Sequence, residues 1–246
     1  MIKKEFNLEK YIRPIEKAFT LAIRLIFMFF FFTQVSFGQT AVQVSFIPVI
    51  NKSEIELNKE LVLSDNQKIT ITNLRFYISK FQLLKNEKVQ STWNKEHHLI
   101  DLRQQSSLKW ILDSVETDFD KIKFQLGLDS FTNVSGALTG DLDPTKGMYW
   151  TWQSGYINLK IEGFFINSNE GNKIFEYHLG GYLPPFQTIQ HISMLSNSKK
   201  EMKIVLDFNS FFLSSKTEYK ARVMSPGENA QALSRLLVNC FRFYEE

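Results

Sequence analysis

The sequence has few of the residues on which many exported or catalytic proteins depend. It contains one cysteine, Cys240, in 246 residues, so no disulfide can form within the chain and a packed core must supply its stability. It has four histidines, none at the spacing of a helical zinc site, and it lacks a nucleophile elbow and a glycine-rich phosphate loop. These absences argue against a hydrolase or a nucleotide-dependent enzyme, and we expect no catalytic activity of the chain's own.

The first 38 residues differ in composition from the rest of the chain. Their basic residues precede an apolar run at 25–32, which is followed by the small residues Ser36 and Gly38. This order is typical of a secretory signal peptide cleaved before Gln39. An uncleaved membrane anchor is the alternative, but the run is shorter than the about 20 apolar residues that span a bilayer. We predict a signal peptide at 1–38, a periplasmic or secreted protein, and no membrane span after cleavage.

The positive charge of the chain belongs to this first segment. Residues 1–38 hold six of the 29 basic and three of the 26 acidic residues, which leaves 23 of each sign in residues 39–246. A nucleic-acid-binding surface needs a clear excess of positive charge. We therefore expect no nucleic-acid partner.

Residues 39–246 have the pattern of a mainly β protein. Alternating or strand-forming residues occur in 42–46, 68–72, 74–84, 89–93, 98–102, 121–128, 156–166, 174–179, 188–195 and 201–208. Helical spacing predicts a short helix or an irregular connection at 106–115 and a C-terminal helix at 228–241. Many short strands with one helix predict a single domain over 39–246, an antiparallel β-sandwich with a C-terminal α-helix.

The most informative stretch is the aromatic run at 147–156, which follows a turn-rich segment at 129–148. Trp150 and Trp152 lie two residues apart, so in a strand their indoles would face the same side. Two large aromatics on one face either fill a core or form a binding or redox platform. Both alternatives remain open at this point.

Histidine is the candidate metal ligand in this sequence. His178 and His98 both lie in strand-like segments, and we prefer His98 to His97 because its alternation with Ile100 suggests an inward side chain. Imidazole suits copper, and the thioether of a methionine such as Met224 suits copper(I). For each histidine the alternative is a purely structural role.

Several segments of the chain, taken in order, resemble the MbnP-like family of exported copper-associated proteins. The aromatic run is the specific part of this resemblance, and the other matching segments are 74–79, 98–101, 124–129, 140–144, 177–181 and 223–227. The resemblance implies a β-rich domain that binds copper and a partner enzyme of the di-haem cytochrome c peroxidase type. That enzyme would oxidise a tryptophan, Trp150 or Trp152, to kynurenine beside a histidine site.

Carried onto this chain, the resemblance gives a set of candidate site residues: His178, His98, Trp150, Trp152 and Met224. Copper would be the bound metal, and the chain would be acted upon by its partner. The alternative function is a non-metal extracytoplasmic interaction or ligand-binding module of the β-sandwich class. In that case the tryptophans would be core residues, interface anchors or an exposed sugar-binding platform.

Overall fold

Strands dominate the structure, as the alternating sequence predicts. The computed structural model describes residues 40–115, 118–151, 153–167, 169–196, 200–218 and 221–244. These residues form fifteen strands: β1 (Thr40–Ile50), β2 (Ser53–Glu54), β3 (Glu60–Val62), β4 (Lys68–Lys85), β5 (Lys88–Thr92), β6 (His97–Asp101), β7 (Lys109–Val115), β8 (Lys121–Leu126), β9 (Tyr149–Thr151), β10 (Gly155–Phe165), β11 (Lys173–Gly180), β12 (Gln190–Leu195), β13 (Glu201–Asp207), β14 (Arg222–Val223) and β15 (Phe241–Phe243). The expected signal peptide at 1–38 and Trp152 lie outside the described residues.

Three α-helices are present in the described part of the chain: α1 (Ser130–Val134), α2 (Asn209–Glu218) and α3 (Glu228–Leu236). Short 3-10 turns occupy Gln105–Leu108, Gly140–Leu142, Pro144–Lys146 and Leu237–Cys240. Within the described ranges, no helix has both the length and the apolar character needed to span a bilayer.

The large sheet is organised around β4, an 18-residue strand. Its strand order is β12-β8-β4-β10-β11-β14, with β3, β5 and β6 also paired to β4 and β9 paired to β10. The described pairings are antiparallel except β11–β14. Lys80, with φ of 49°, marks a register shift in β4, and such a bulge bends a long strand.

The small sheet has the order β15-β13-β1-β2, with β7 also paired to β1. Here β1 and β13 run parallel, which joins an early strand to a late one. Phe46 of β1 meets Phe76 and Phe124 of the large sheet edge-on, with ring centroids 6.2 and 5.7 Å apart. The main core therefore lies between two sheets, and the prediction of a mainly β, sandwich-like fold with a C-terminal helix is confirmed.

Two helical expectations need correction. The segment 106–115 holds a 3-10 turn followed by strand β7, in which Trp110 and Leu112 are buried while Ile111 is 54% exposed. Burial in β7 alternates with a period of two, so the helical spacing of the apolar residues in this segment was coincidental. The C-terminal helix begins at Glu228 as expected but ends at Leu236, because Phe241–Phe243 pairs with β13 instead of extending the helix. Helix α2 was not predicted.

Candidate functional site

Strand register aligns eight polar side chains on the face of the large sheet that points away from the main core. The pairing forms two rows across the strands: Asp101, Arg75, Lys160 and His178 in the first, and Asn73, Glu162, Glu176 and Arg222 in the second. Residues between them along the strands, such as Leu74 and Ile161, point into the main core. We call this surface the polar face.

Buried His178 and half-buried Glu162 form a pair on the polar face. Nε2 of His178 lies 2.6 Å from Oε1 of Glu162, and the histidine is 6% exposed. Burial holds the pKa of His178 below its usual value, against the opposing effect of Glu162. Burial alone would raise the pKa of Glu162, but hydrogen bonds from Asn73 and His178 hold it below its ordinary value. The pair is therefore a neutral imidazole against a carboxylate.

This protonation state decides which nitrogen of His178 can meet a ligand. A neutral ring that donates its Nε2 proton to a carboxylate carries its lone pair on Nδ1. Within the described residues, the hydrogen bond to Glu162 is the one that the ring makes. Metal-binding histidines usually have this arrangement, with the second nitrogen donating to a carboxylate that fixes the ring.

Trp150 packs against Gly180, two residues along β11 from His178. Gly180 follows His178 by two residues in β11, so both positions face the same side of the sheet. A Cβ atom at Gly180 would lie 2.6 Å from Cζ3 of Trp150, so the indole rests directly on this glycine. Glycine is required here by this close approach of the ring. Trp150 therefore covers the strand position that follows His178 on the polar face.

Met224 directly follows β14, the strand that pairs with β11. In the parallel β11–β14 ladder, Arg222 pairs with Glu176 and Val223 pairs with Tyr177. Met224 is the next residue along the chain and is 44% exposed. The register thus leads Met224 toward His178, while Trp152, the other aromatic candidate, lies outside the described residues.

His98 is separated from this group. It pairs with Ile78 and points to the opposite face of β6 from Asp101. Its Nε2 lies 2.7 Å from the Ser107 carbonyl oxygen, and its Nδ1 lies 3.1 Å from Oδ2 of Asp141. Both ring nitrogens have protein partners, which is the environment of a structural histidine.

The other two histidines belong to a different part of the sheet. His97 pairs with Ser79, Ser79 pairs with Gln125, and Gln125 pairs with His191. The two imidazoles therefore stand at opposite ends of a row that crosses four strands. With neighbouring strands about 4.8 Å apart, they are too distant to share one ion.

The turn-rich segment 128–148 forms a cover over part of the polar face, and we call it the cover segment. The Tyr77 hydroxyl donates to the Asp141 carbonyl at 2.9 Å, and Lys160 donates to the Gly147 carbonyl at 2.7 Å. Arg75 donates to the carbonyl of Lys146. A second apolar cluster fills the space beneath: Tyr77, Leu99, Leu128, Leu142, Met148, Tyr156 and Ile157, with Tyr149 and Trp150 packed against it.

The acidic residues of the cover segment have structural partners. Asp143 accepts hydrogen bonds from the Thr145 backbone N–H and hydroxyl, at 2.8 and 2.7 Å, as a helix cap does. Asp141 binds Lys95 and Lys146. Within the described ranges, no three His, Cys, Asp or Glu side chains converge as a ready-made metal site.

Sequence reasoning missed Glu162, Asn73 and the Arg75–Lys160 row. The sequence signal for them was present, since Asn73, Arg75, Lys160 and Glu162 are polar residues alternating with apolar ones in two long strands. Their placement around His178 depends on the pairing of β4, β10 and β11. One sequence carries no direct signal for that register.

Comparisons with known proteins agree with this architecture. The family model described as MbnP matches residues 39–227. Among solved structures, MbnP from Methylosinus trichosporium is similar with a TM-score of 0.53 and 15% identity, over 78% of this chain and 82% of that chain. No curated protein matched. The family model covers most of the chain, and the chain therefore belongs to the MbnP family.

Proposed function

We propose that this protein is exported and holds copper(I) at a site built around His178, after a partner enzyme has oxidised a neighbouring tryptophan. Membership of the MbnP family suggests a copper-associated protein. The observation that carries the proposal is the Glu162–His178 pair on the same strand face as Gly180, against which Trp150 packs. Glu162 fixes the imidazole and leaves Nδ1 free to bind an ion.

The donor atoms near His178 suit a soft cation. Copper(I) favours imidazole and thioether ligands, and Met224, which directly follows β14, is an exposed thioether. A carbonyl or amine created from an oxidised indole would add a donor at the position of Trp150. His98 already has protein partners on both nitrogens, so we assign it a supporting role outside the copper ligands.

The proposed partner is a di-haem enzyme of the cytochrome c peroxidase type, and the chain is its substrate. In the modification, both atoms of one dioxygen molecule, or one atom from each of two peroxide molecules with release of two waters, add across the C2–C3 bond of the indole and that bond breaks. Water then releases the former C2 as formate, leaving kynurenine. The haem enzyme activates the oxidant, and the polar face presents the indole.

The test is to purify the protein from its native host and to measure its intact mass, its modified peptide and its copper content together. We expect a net gain of one oxygen and a net loss of one carbon at Trp150 or Trp152, the change that converts tryptophan to kynurenine. We also expect Glu162→Gln to weaken copper(I) binding by about 10–100-fold, because it removes the carboxylate that orients the ligand. An unmodified protein that retains no copper(I) would overturn the proposal.

A matched control is available on the same sheet. His191→Ala removes an exposed imidazole from β12, which is not adjacent to β11 in the strand order. Its copper content should equal that of the unaltered protein. If His191→Ala and Glu162→Gln lower the copper content equally, the metal is bound nonspecifically by imidazoles. The proposed site around His178 is then wrong.

A second candidate function is a metal-free interaction module. It is favoured by large apolar side chains that are exposed in α1 and in the loop after β11: Phe131 at 77%, Val134 at 64%, Leu183 at 57% and Phe186 at 41%. The two segments touch, since Ser130 donates to the Tyr182 carbonyl at 3.1 Å. Exposed apolar patches on soluble proteins often mark partner surfaces. Partner binding that is unaffected by copper removal would support this alternative.

A further inference from the structure

A second tryptophan pair lies away from the polar face and joins the two sheets. Trp93 directly follows β5 of the large sheet, and Trp110 belongs to β7 of the small sheet. Their ring centroids are 4.7 Å apart with an angle of 12° between the planes. Phe46 continues the stack on the other side of Trp110, at 5.1 Å and 21°. This is a continuous aromatic column that enters the main core.

The surroundings of the pair are unusual for a packing contact. The His98 ring meets both indoles edge-on, at 5.6 Å from Trp93 and 5.3 Å from Trp110. Trp110 is 8% exposed, and its Nε1–H has no hydrogen-bond partner among the described residues. Buried indole N–H groups normally have a partner, so this donor calls for an explanation.

We propose that the Trp93–Trp110 pair is a one-electron donor site that stores a positive charge after contact with a high-potential oxidant, such as a ferryl haem. One electron leaves the stacked rings and reduces the oxidant, and no bond breaks. The charge is shared by two parallel indoles, which lowers its energy relative to a single ring. The buried Nε1–H of Trp110 has no acceptor, so the proton stays and the oxidised pair remains a radical cation.

Nearby charges determine how the positive charge is distributed. Nζ of Lys95 lies 5.9 Å from the Trp93 ring centroid and repels a positive charge there. The Asp141 carboxylate, which contacts the far side of the His98 ring, attracts a positive charge on the indoles. Lys95 therefore biases the shared charge toward Trp110 without confining it to that ring. This inference is independent of copper binding and of which tryptophan is modified.

The experiment uses the full chain without any haem partner. Flash photolysis of tris(bipyridine)ruthenium(II) with a cobalt(III) ammine as electron acceptor generates ruthenium(III), which takes an electron from the protein. We expect a transient near-infrared charge-resonance band, the signature of a charge shared by two identical stacked rings. Trp93→Phe should abolish the band, because phenylalanine keeps the stack but is much harder to oxidise. Trp150→Phe, which removes an indole from the polar face, should leave it intact.

A second variant keeps the proposal testable if Trp93→Phe folds poorly. Lys95→Met removes the repelling charge over the Trp93 ring, so the yield of the radical cation should rise. Near-ultraviolet circular dichroism of each variant checks that the aromatic packing is native. A missing band in the unaltered protein, a band that survives Trp93→Phe, or an unchanged yield in Lys95→Met would overturn the assignment. None of these outcomes depends on copper, so failure here leaves the proposed function standing.

Discussion

Asp141 is the residue that fastens the cover segment to the edge of the large sheet. Its carboxylate lies 2.5 Å from Nζ of Lys95, 3.0 Å from Nζ of Lys146 and 3.1 Å from Nδ1 of His98. It also accepts the Leu99 backbone N–H at 3.3 Å. Burial alone would raise the pKa of Asp141, but the hydrogen bonds from His98, Lys95 and Lys146 hold it far below its ordinary value.

Replacing Asp141 by asparagine should lower the free energy of unfolding by about 1.5–3 kcal/mol at neutral pH, the usual contribution of a hydrogen bond to a charged group. The loss should depend on pH in a defined direction. Because the folded-state pKa is depressed, the charged form stabilises the fold above the ordinary value of 3.8 and this contribution disappears as the pH falls toward the folded-state pKa. Urea unfolding at a series of pH values measures the difference.

The comparison isolates Asp141 from other carboxylates whose pKa values are also lowered, such as Asp101 and Asp129. Protonation of these other carboxylates changes the free energy of unfolding of both proteins equally, so it cancels when the two free energies are subtracted. The gap between the unaltered protein and Asp141→Asn should therefore narrow as the pH falls below about 4. A gap that stays constant down to the lowest pH would show that Asp141 acts through shape and not through charge.

At the scale of the element, the cover segment depends on hydroxyl groups that rise from the sheet beneath it. The Tyr156 hydroxyl lies 2.9 Å from the Leu142 carbonyl oxygen and 3.0 Å from the Leu138 nitrogen. The Asn133 side chain accepts the Tyr156 backbone N–H at 2.8 Å. A segment with so little regular structure is ordered by such specific bonds.

Tyr156→Phe removes the hydroxyl and leaves the buried Leu142 carbonyl without this donor. We expect a loss of about 1–3 kcal/mol in the free energy of opening the cover segment, since an unpaired buried polar group carries its full desolvation cost. Hydrogen exchange of residues 128–148, followed by mass spectrometry, should show faster exchange confined to this segment. Tyr244→Phe, at a side chain that is 48% exposed, is the matched control and should leave the exchange unchanged.

Some of the individual strands and helices could be predicted from the sequence, and others could not. Strands such as β8, with alternating buried and half-buried residues, were clear from the pattern alone. Strand β7 was not, because Leu108, Ile111, Leu112 and Val115 have a spacing that also fits a helix, and pairing with β1 decided the outcome. Helix α2 was missed because Phe211 and Phe212 are adjacent and both fully buried, which hides any helical period.

The candidate site was predicted as a set of residues but not as an arrangement. The aromatic run and the histidine motif drew attention to Trp150 and His178. Their placement on one face follows from Gly180, on which the indole rests, and from the register of β11. The sequence also gave no sign that Trp93 and Trp110 stack across two sheets, because that contact joins elements that are not paired to each other.

For the whole molecule, stability rests on the aromatic contacts between the two sheets. Phe46 is 1% exposed and meets Phe76, Trp110, Phe124 and Phe241. Phe46→Ala should therefore lower the free energy of unfolding by about 3–5 kcal/mol, because it opens a cavity where both sheets meet. Equilibrium unfolding in urea is the measurement.

Phe131→Ala provides the same chemical change at a side chain that is 77% exposed. It should alter the free energy of unfolding by no more than about 0.5 kcal/mol. Similar losses in the two variants would mean that Phe131 is covered in solution, which would favour the metal-free interaction module over a freely exposed surface. The pair of variants therefore bears on both stability and function.

The parallel pairing of β1 with β13 has a consequence for how the protein is made. A ribosome delivers residues 40–50 early, but their neighbour at 201–207 arrives only near the end of synthesis. The first strand can pair with β2 and β7 earlier, but its edge toward β13 stays unpaired until residues 201–207 have been made. A product truncated before residue 201 would leave this strand edge exposed, and it should be a preferred target for chaperones and proteases.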